Sequence, residues 1–100
     1  MGLFNRSQPD FAAGVQAAQD TDSAVLLDVR TAEEYATGHV PGSVNLPLDR
    51  IPTIAIDKSC PLFVYCLSGA RSGRACTFLK KQGYTVTNMG GISGYRGPLE

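Results

Sequence analysis

Apolar positions fall into two rhythms along the chain. Phe11, Ala12, Val15 and Ala18 recur at helical spacing behind Ser7, Pro9 and Asp10, which suit a helix start, and predict a first amphipathic helix reaching about Gln19. After the polar break Asp20-Thr21-Asp22-Ser23, the run Ala24 to Leu27 predicts a buried strand ending at Asp28. Thr31 and Glu34 have the spacing of a capping box, so Ala32 to Thr37 is a short helix stopped by Gly38. His39-Val40-Pro41-Gly42 follows as a turn, and Val44 to Leu46 as a short strand closed by Pro47. Residues 48 to 60 carry Pro52 and Cys60-Pro61 and read as a loop with one helical turn.

The next stretch organises the rest. Leu62, Phe63, Val64 and Tyr65 are a continuous apolar run that Cys66 ends, Ser68, Gly69 and Ala70 let the backbone curl, and Ala75, Cys76, Phe78 and Leu79 line one face of a helix from near Arg71 to Gly83. Tyr84 to Thr87 predicts a last strand, and Met89-Gly90-Gly91-Ile92 a turn. Strands that are apolar throughout and alternate with helices predict an α/β fold with a parallel sheet covered on both faces. Ligands of such sheets bind at the carboxyl edge, where Asp28 and Cys66 both end strands.

Cys66 at that edge, followed by a helix start, places a sulfur where unpaired amides converge. A thiolate there is stabilised by the helix dipole and by Arg71 and Arg74, which predicts a pKa below that of a free cysteine. The three cysteines, at positions 60, 66 and 76, are an odd number without metal-ligand spacing, against both a disulfide framework and a zinc site. Cys60 and Cys76 are expected to be structural. A cation at a helix start opposes the dipole, so Arg71 is expected to meet an anionic ligand or an acidic partner. His39, the only histidine, raises a cysteine-histidine hydrolase as an alternative, but its Gly-His-Val-Pro-Gly setting favours a hydrogen-bonded structural role.

Formal net charge is zero, which gives no sign of a nucleic-acid partner. The charges are uneven, however: eight acids precede Lys58 against Arg6, Arg30 and Arg50, whereas Lys58, Arg71, Arg74, Lys80, Lys81 and Arg96 follow with no acid before Glu100. The Cys66 loop therefore lies in the basic half, as a small anionic substrate requires. Hydrophobic content of 43% fits one globular domain over residues 1–98, and Leu99-Glu100 resembles a vector-derived scar. No apolar run approaches the roughly 20 residues of a membrane span or forms a secretory signal, so a cytoplasmic location is expected; a monomer is expected as well.

Several separated motifs occur in one order: Asp28-Val29-Arg30-Thr31, Glu34-Tyr35, Gly38 to Pro47, Tyr65-Cys66 with Gly69, Arg71 and Ser72, Gly83-Tyr84, and Gly90-Gly91-Ile92. Together they strongly resemble a single-domain rhodanese over nearly the whole chain. The resemblance implies a three-layer α/β domain with a parallel sheet of about five strands. It also implies a sulfurtransferase in which Cys66 carries sulfane sulfur as a persulfide, with no metal or organic cofactor. By the same resemblance Leu67, Ser68, Gly69, Ala70 and Arg71 form the loop around the transferred sulfur, with Ser72 following, and Asp28 and Arg30 brace the site; Arg74, about one turn beyond Arg71, is read either as a further bracing residue at the site rim or as a solvated one. The implied partners are a small anionic or persulfidic donor and a thiol or sulfur-carrier acceptor. Many thiosulfate-using members carry a basic residue directly after the cysteine, and Leu67 at that position counts against thiosulfate as the physiological donor. Tyr95 stands where the family often has tryptophan. The enzyme rival is a cysteine phosphatase or arsenate reductase, whose loop holds five residues between cysteine and arginine where this chain has four. The rival from another class is a non-catalytic rhodanese-like binding or carrier module.

Overall fold

A computed structural model describes residues 10–100. Helix α1 spans Phe11–Gln19, with Asp10 as its N-cap accepting a hydrogen bond from the Ala13 amide. Strand β1 (Val25–Asp28), helix α2 (Ala32–Ala36), strand β2 (Val44–Asn45), a 3-10 helix (Leu48–Thr53), strand β3 (Leu62–Cys66), helix α3 (Ala70–Lys81) and strand β4 (Val86–Gly91) follow. The predicted helix start at Ser7 and Pro9 lies outside the described residues, but its Asp10 is the cap.

The four strands form one parallel sheet in the order β2-β1-β3-β4. This is the α/β architecture expected, with four strands among the described residues where the resemblance implied about five. Period-2 alternation along β3 divides its side chains between two cores. Leu62, Val64 and Cys66 join Leu27, Val29, Ile51, Ala75, Cys76 and Leu79 under α3 and the 3-10 helix. Phe63 and Tyr65 join Phe11, Val15, Ala18 and Met89 beneath α1. All five residues of β3 are buried, which explains a run with no polar member.

The capping box at α2 forms as predicted: Thr31 Oγ1 accepts from the Glu34 amide at 3.2 Å and Glu34 Oε1 accepts from the Thr31 amide at 2.9 Å. The last strand differs from the prediction. Tyr84 lies before it, its ring buried and its hydroxyl donating to the Ile56 carbonyl, while the pairing with β3 runs on through Gly90 and Gly91. A register shift at Val64/Tyr65, with Val64 opposite Asn88 and Tyr65 opposite Gly90, leaves Met89 as the extra residue. The glycine pair is thus the end of a strand rather than a turn. Leu99-Glu100 is tied in as well, since the backbones of His39 and Glu100 exchange hydrogen bonds of 3.1 and 2.8 Å.

Candidate active site

Cys66 is the last residue of the most buried strand, and the chain then leaves the sheet and starts α3 within four residues. Gly69 makes that possible. It occupies the N-cap position with φ of 103°, a left-handed conformation that a side chain disfavours. With no side chain capping α3, its first amides are free to turn on the sulfur. Cys66 Sγ accepts from the Gly69 amide at 3.0 Å and from the Ser72 amide at 3.3 Å, and Ser72 Oγ lies 3.5 Å away. Cys66 itself is fully buried.

Burial alone pushes the thiol pKa up. The Ser72 hydroxyl and the amides of Ser72, Gly69 and Ser68 outweigh it and hold the group below its ordinary value. The expected direction holds, but its main source is hydrogen bonding rather than the two arginines. Cys76 shows the contrast: buried on α3 without such donors, its thiol is pushed up to about 11. Cys60 is half-buried in the segment before β3.

The arginines have partners and settings of their own, Arg71 within electrostatic reach of Cys66. Arg71 Nη1 donates to Glu34 Oε1 at 2.6 Å and Nη2 to Oε2 at 2.9 Å, so the acidic partner that its position demanded is Glu34 on α2. Arg74 is exposed and shares with Arg71 a cleft of about 540 Å³ lined also by Val29, Leu48, Asp49 and Phe78. Asp28 and Arg30 are buried and paired with each other, Arg30 Nη2 reaching Asp28 Oδ2 at 2.7 Å and the Gly38 carbonyl at 2.8 Å. The Arg30 guanidinium lies over the Tyr65 ring, 5.8 Å from its centre. Tyr65 in turn accepts from the Val40 amide at 3.1 Å and lies 3.1 Å from Ser43 Oγ. This network locks the turns beside β3, and among the described residues none of its side-chain hydrogen bonds reaches Cys66 Sγ. His39 stacks on Tyr35 at 3.6 Å and faces Glu100 rather than the cysteine.

On the loop, Leu67 is 43% exposed and Ser68 and Ala70 are also exposed. Leu67, Ser68 and Gly69 border a second cleft of about 730 Å³, together with Phe11, Tyr95 and Arg96. Three contributors were not legible as site residues. Asn88 on β4 accepts from the Ser72 hydroxyl at 2.8 Å and from the Gly90 amide at 2.9 Å, fixing the serine beside the sulfur. Asparagine inside a strand is unfavourable, and that was its signal. Gly90 and Gly91 form the floor of the loop: the Ile92 amide donates to the Cys66 carbonyl at 2.9 Å and the Ser93 amide to that of Leu67 at 3.0 Å.

The family of the Rhodanese-like domain matches residues 11–97. The chain belongs to the rhodanese family. Among curated rhodanese relatives, a protein named sulfurtransferase from Allochromatium vinosum is 43% identical over 81 residues, covering 77% of this chain and 76% of that protein. The thiosulfate sulfurtransferase PspE of Escherichia coli is 44% identical over 71 residues, covering 66% of this chain and 68% of its own. Among solved structures, a rhodanese with anions from E. coli superimposes with a TM-score of 0.68 at 35% identity, covering 77% of this chain and 96% of the other. Among the described residues, no helix is long and apolar enough to cross a membrane.

Proposed function

We infer that this rhodanese is a sulfurtransferase whose Cys66 carries sulfane sulfur between a donor and an acceptor. The observation that carries the reading is the pair of backbone amides, from Gly69 and Ser72, donating to a buried Sγ. That environment favours the thiolate, the form that attacks sulfur. The thiolate attacks the sulfane sulfur of the donor, whether thiosulfate, a polysulfide or a persulfide; a new sulfur–sulfur bond forms at Cys66, and the donor's bond to that sulfur breaks with its electron pair on the leaving group, which is sulfite from thiosulfate and a thiolate or shortened polysulfide from the others. A second nucleophile, cyanide or a thiol, then takes the outer sulfur and returns the electron pair to Cys66. The loop amides that hold the thiolate also face the persulfide anion, so each state of the cycle meets the same donors.

Two features favour sulfur transfer over phosphate or arsenate chemistry. The loop holds one residue fewer than the phosphatase type, and the guanidinium of Arg71 engages Glu34 instead of standing free for a tetrahedral oxyanion. A single sulfur atom needs neither the room nor the fork.

The test is intact mass of the reduced protein after brief exposure to thiosulfate and to polysulfide, with the added sulfur mapped by peptide and chased with cyanide. One sulfur on Cys66, released by cyanide and absent from Cys66→Ser but present in Cys60→Ser and Cys76→Ser, is the expected result. Loading that survives Cys66→Ser overturns the mechanism, and no loading from either donor leaves a binding module.

A further inference from the structure

Arg71 is the arginine closest in sequence to Cys66, yet its charge is not available to a substrate in the ordinary way. The Glu34 carboxylate meets its guanidinium fork on fork, with the side chains only 31% and 28% exposed, so water screens the pair incompletely and each charge largely cancels the other's field. The carboxylate is not there merely because the arginine attracts it. Glu34 Oε1 also accepts from the Thr31 amide, and the Glu34 amide donates to Thr31 Oγ1, so the start of α2 holds Glu34 in place on its own account. Arg71, first, and the Thr31 amide hold its pKa at about 2, which keeps it ionised at neutral pH.

The remaining charges around the loop also balance. The cleft containing Arg71 sets Arg74 against Asp49, and the other cleft sets Arg96 against Asp10. Leu67 adds none. Beyond the loop amides, a donor approaching the Cys66 thiolate thus finds little net positive charge on the surrounding side chains to offset its own, and a dianion is repelled about twice as strongly as a monoanion of the same shape.

We propose that Glu34 is a specificity-determining residue: by neutralising Arg71 it makes the Cys66 site discriminate against dianionic sulfur donors and in favour of singly charged ones. The proposal rests on the sulfur-transfer reading above and adds the class of donor. Thiosulfate and methanethiosulfonate separate the two cases, since both present a sulfane sulfur on a sulfonyl centre but carry two charges and one. With the second, Cys66 takes the sulfane sulfur and the electron pair leaves on methanesulfinate.

The experiment measures kcat/KM for both donors in the full chain and in Glu34→Gln, which keeps an oxygen for the capping box and removes only the charge. The ratio of thiosulfate to methanethiosulfonate should rise about tenfold, carried mainly by KM for thiosulfate. The gain should shrink in high salt, as an electrostatic effect must, and disappear in Glu34→Gln/Arg71→Gln. A ratio that does not move, or a gain that is insensitive to salt or survives the second substitution, overturns the role of Glu34 while leaving sulfur transfer intact. Failure of both donors to load Cys66 in the unmodified protein overturns the sulfur-transfer reading and this one with it.

Discussion

Gly91→Ala tests whether β4 shapes the Cys66 loop. A β-carbon at Gly91 would overlap the Leu67 carbonyl oxygen and lie 2.7 Å from Ser68 Cα and 2.8 Å from the Leu67 carbonyl carbon. Gly91 is not among the positive-φ residues, so alanine is conformationally acceptable and the contact alone opposes it. Every atom in the way is backbone, and relief requires the loop and the strand to part by about 1 Å. That movement disrupts the hydrogen bonds from Ile92 and Ser93 to the carbonyls of Cys66 and Leu67. Each costs about 1 kcal/mol, and overpacking adds about 1–3 kcal/mol, so the substitution should destabilise the protein by about 3–5 kcal/mol. For a domain of this size the melting temperature should fall by at least about 12 °C. Gly94→Ala is the control, because Gly94 has φ of 84° and a β-carbon there would have no atom within 4 Å, leaving only the left-handed penalty of about 1–2 kcal/mol. Thermal unfolding followed by circular dichroism reads the difference, and sulfur loading measured below both transitions reads the loop. Displaced amides of Gly69 and Ser72 should lower the loaded fraction in Gly91→Ala only. If the two variants melt within a few degrees of each other and load alike, the loop does not depend on the close approach of β4.

Ser72→Ala removes the hydroxyl that helps hold the Cys66 pKa down but keeps the Ser72 amide, so a thiolate toward which that hydroxyl can rotate loses one donor. At 3.5 Å, with Asn88 Oδ1 competing at 2.8 Å, that donor is worth about 1 kcal/mol, and iodoacetamide alkylation of Cys66 on the acidic limb of its pH profile should slow about fivefold. An unshifted profile would show that the amides act alone. Glu34 has its pKa lowered from 4.5 to about 2, so its contribution to stability is fully present above pH 4.5 and declines as pH falls through 2. Allowing for partial exposure, that contribution is about 1 kcal/mol, and the stability difference between the wild type and Glu34→Gln in urea unfolding should narrow from pH 7 to pH 2. A difference that stays constant over that range would contradict the assignment.

Much of this arrangement was legible because local chemistry and tertiary role coincide. The unbroken run Leu62 to Cys66 announces a strand buried on both faces, and the Thr31 to Glu34 spacing announces the start of α2; both stand in the structure where the sequence places them. The residues that escaped have a local role that already looks complete. Gly90-Gly91 suffices as a turn, so nothing local reveals that the pair must let the Leu67 carbonyl pass close overhead. Glu34 suffices as a capping residue, so its second bond, to an arginine 37 positions away, lies beyond any spacing argument that reaches one helical turn. Asn88 is the opposite case, a polar residue that suits its strand poorly. Its Oδ1 accepts from the Gly90 amide two residues on and from the Ser72 hydroxyl on α3, so its misfit is accounted for beside the sulfur, whereas the glycine pair and Glu34 fit locally and conceal their part in holding the loop and its charge.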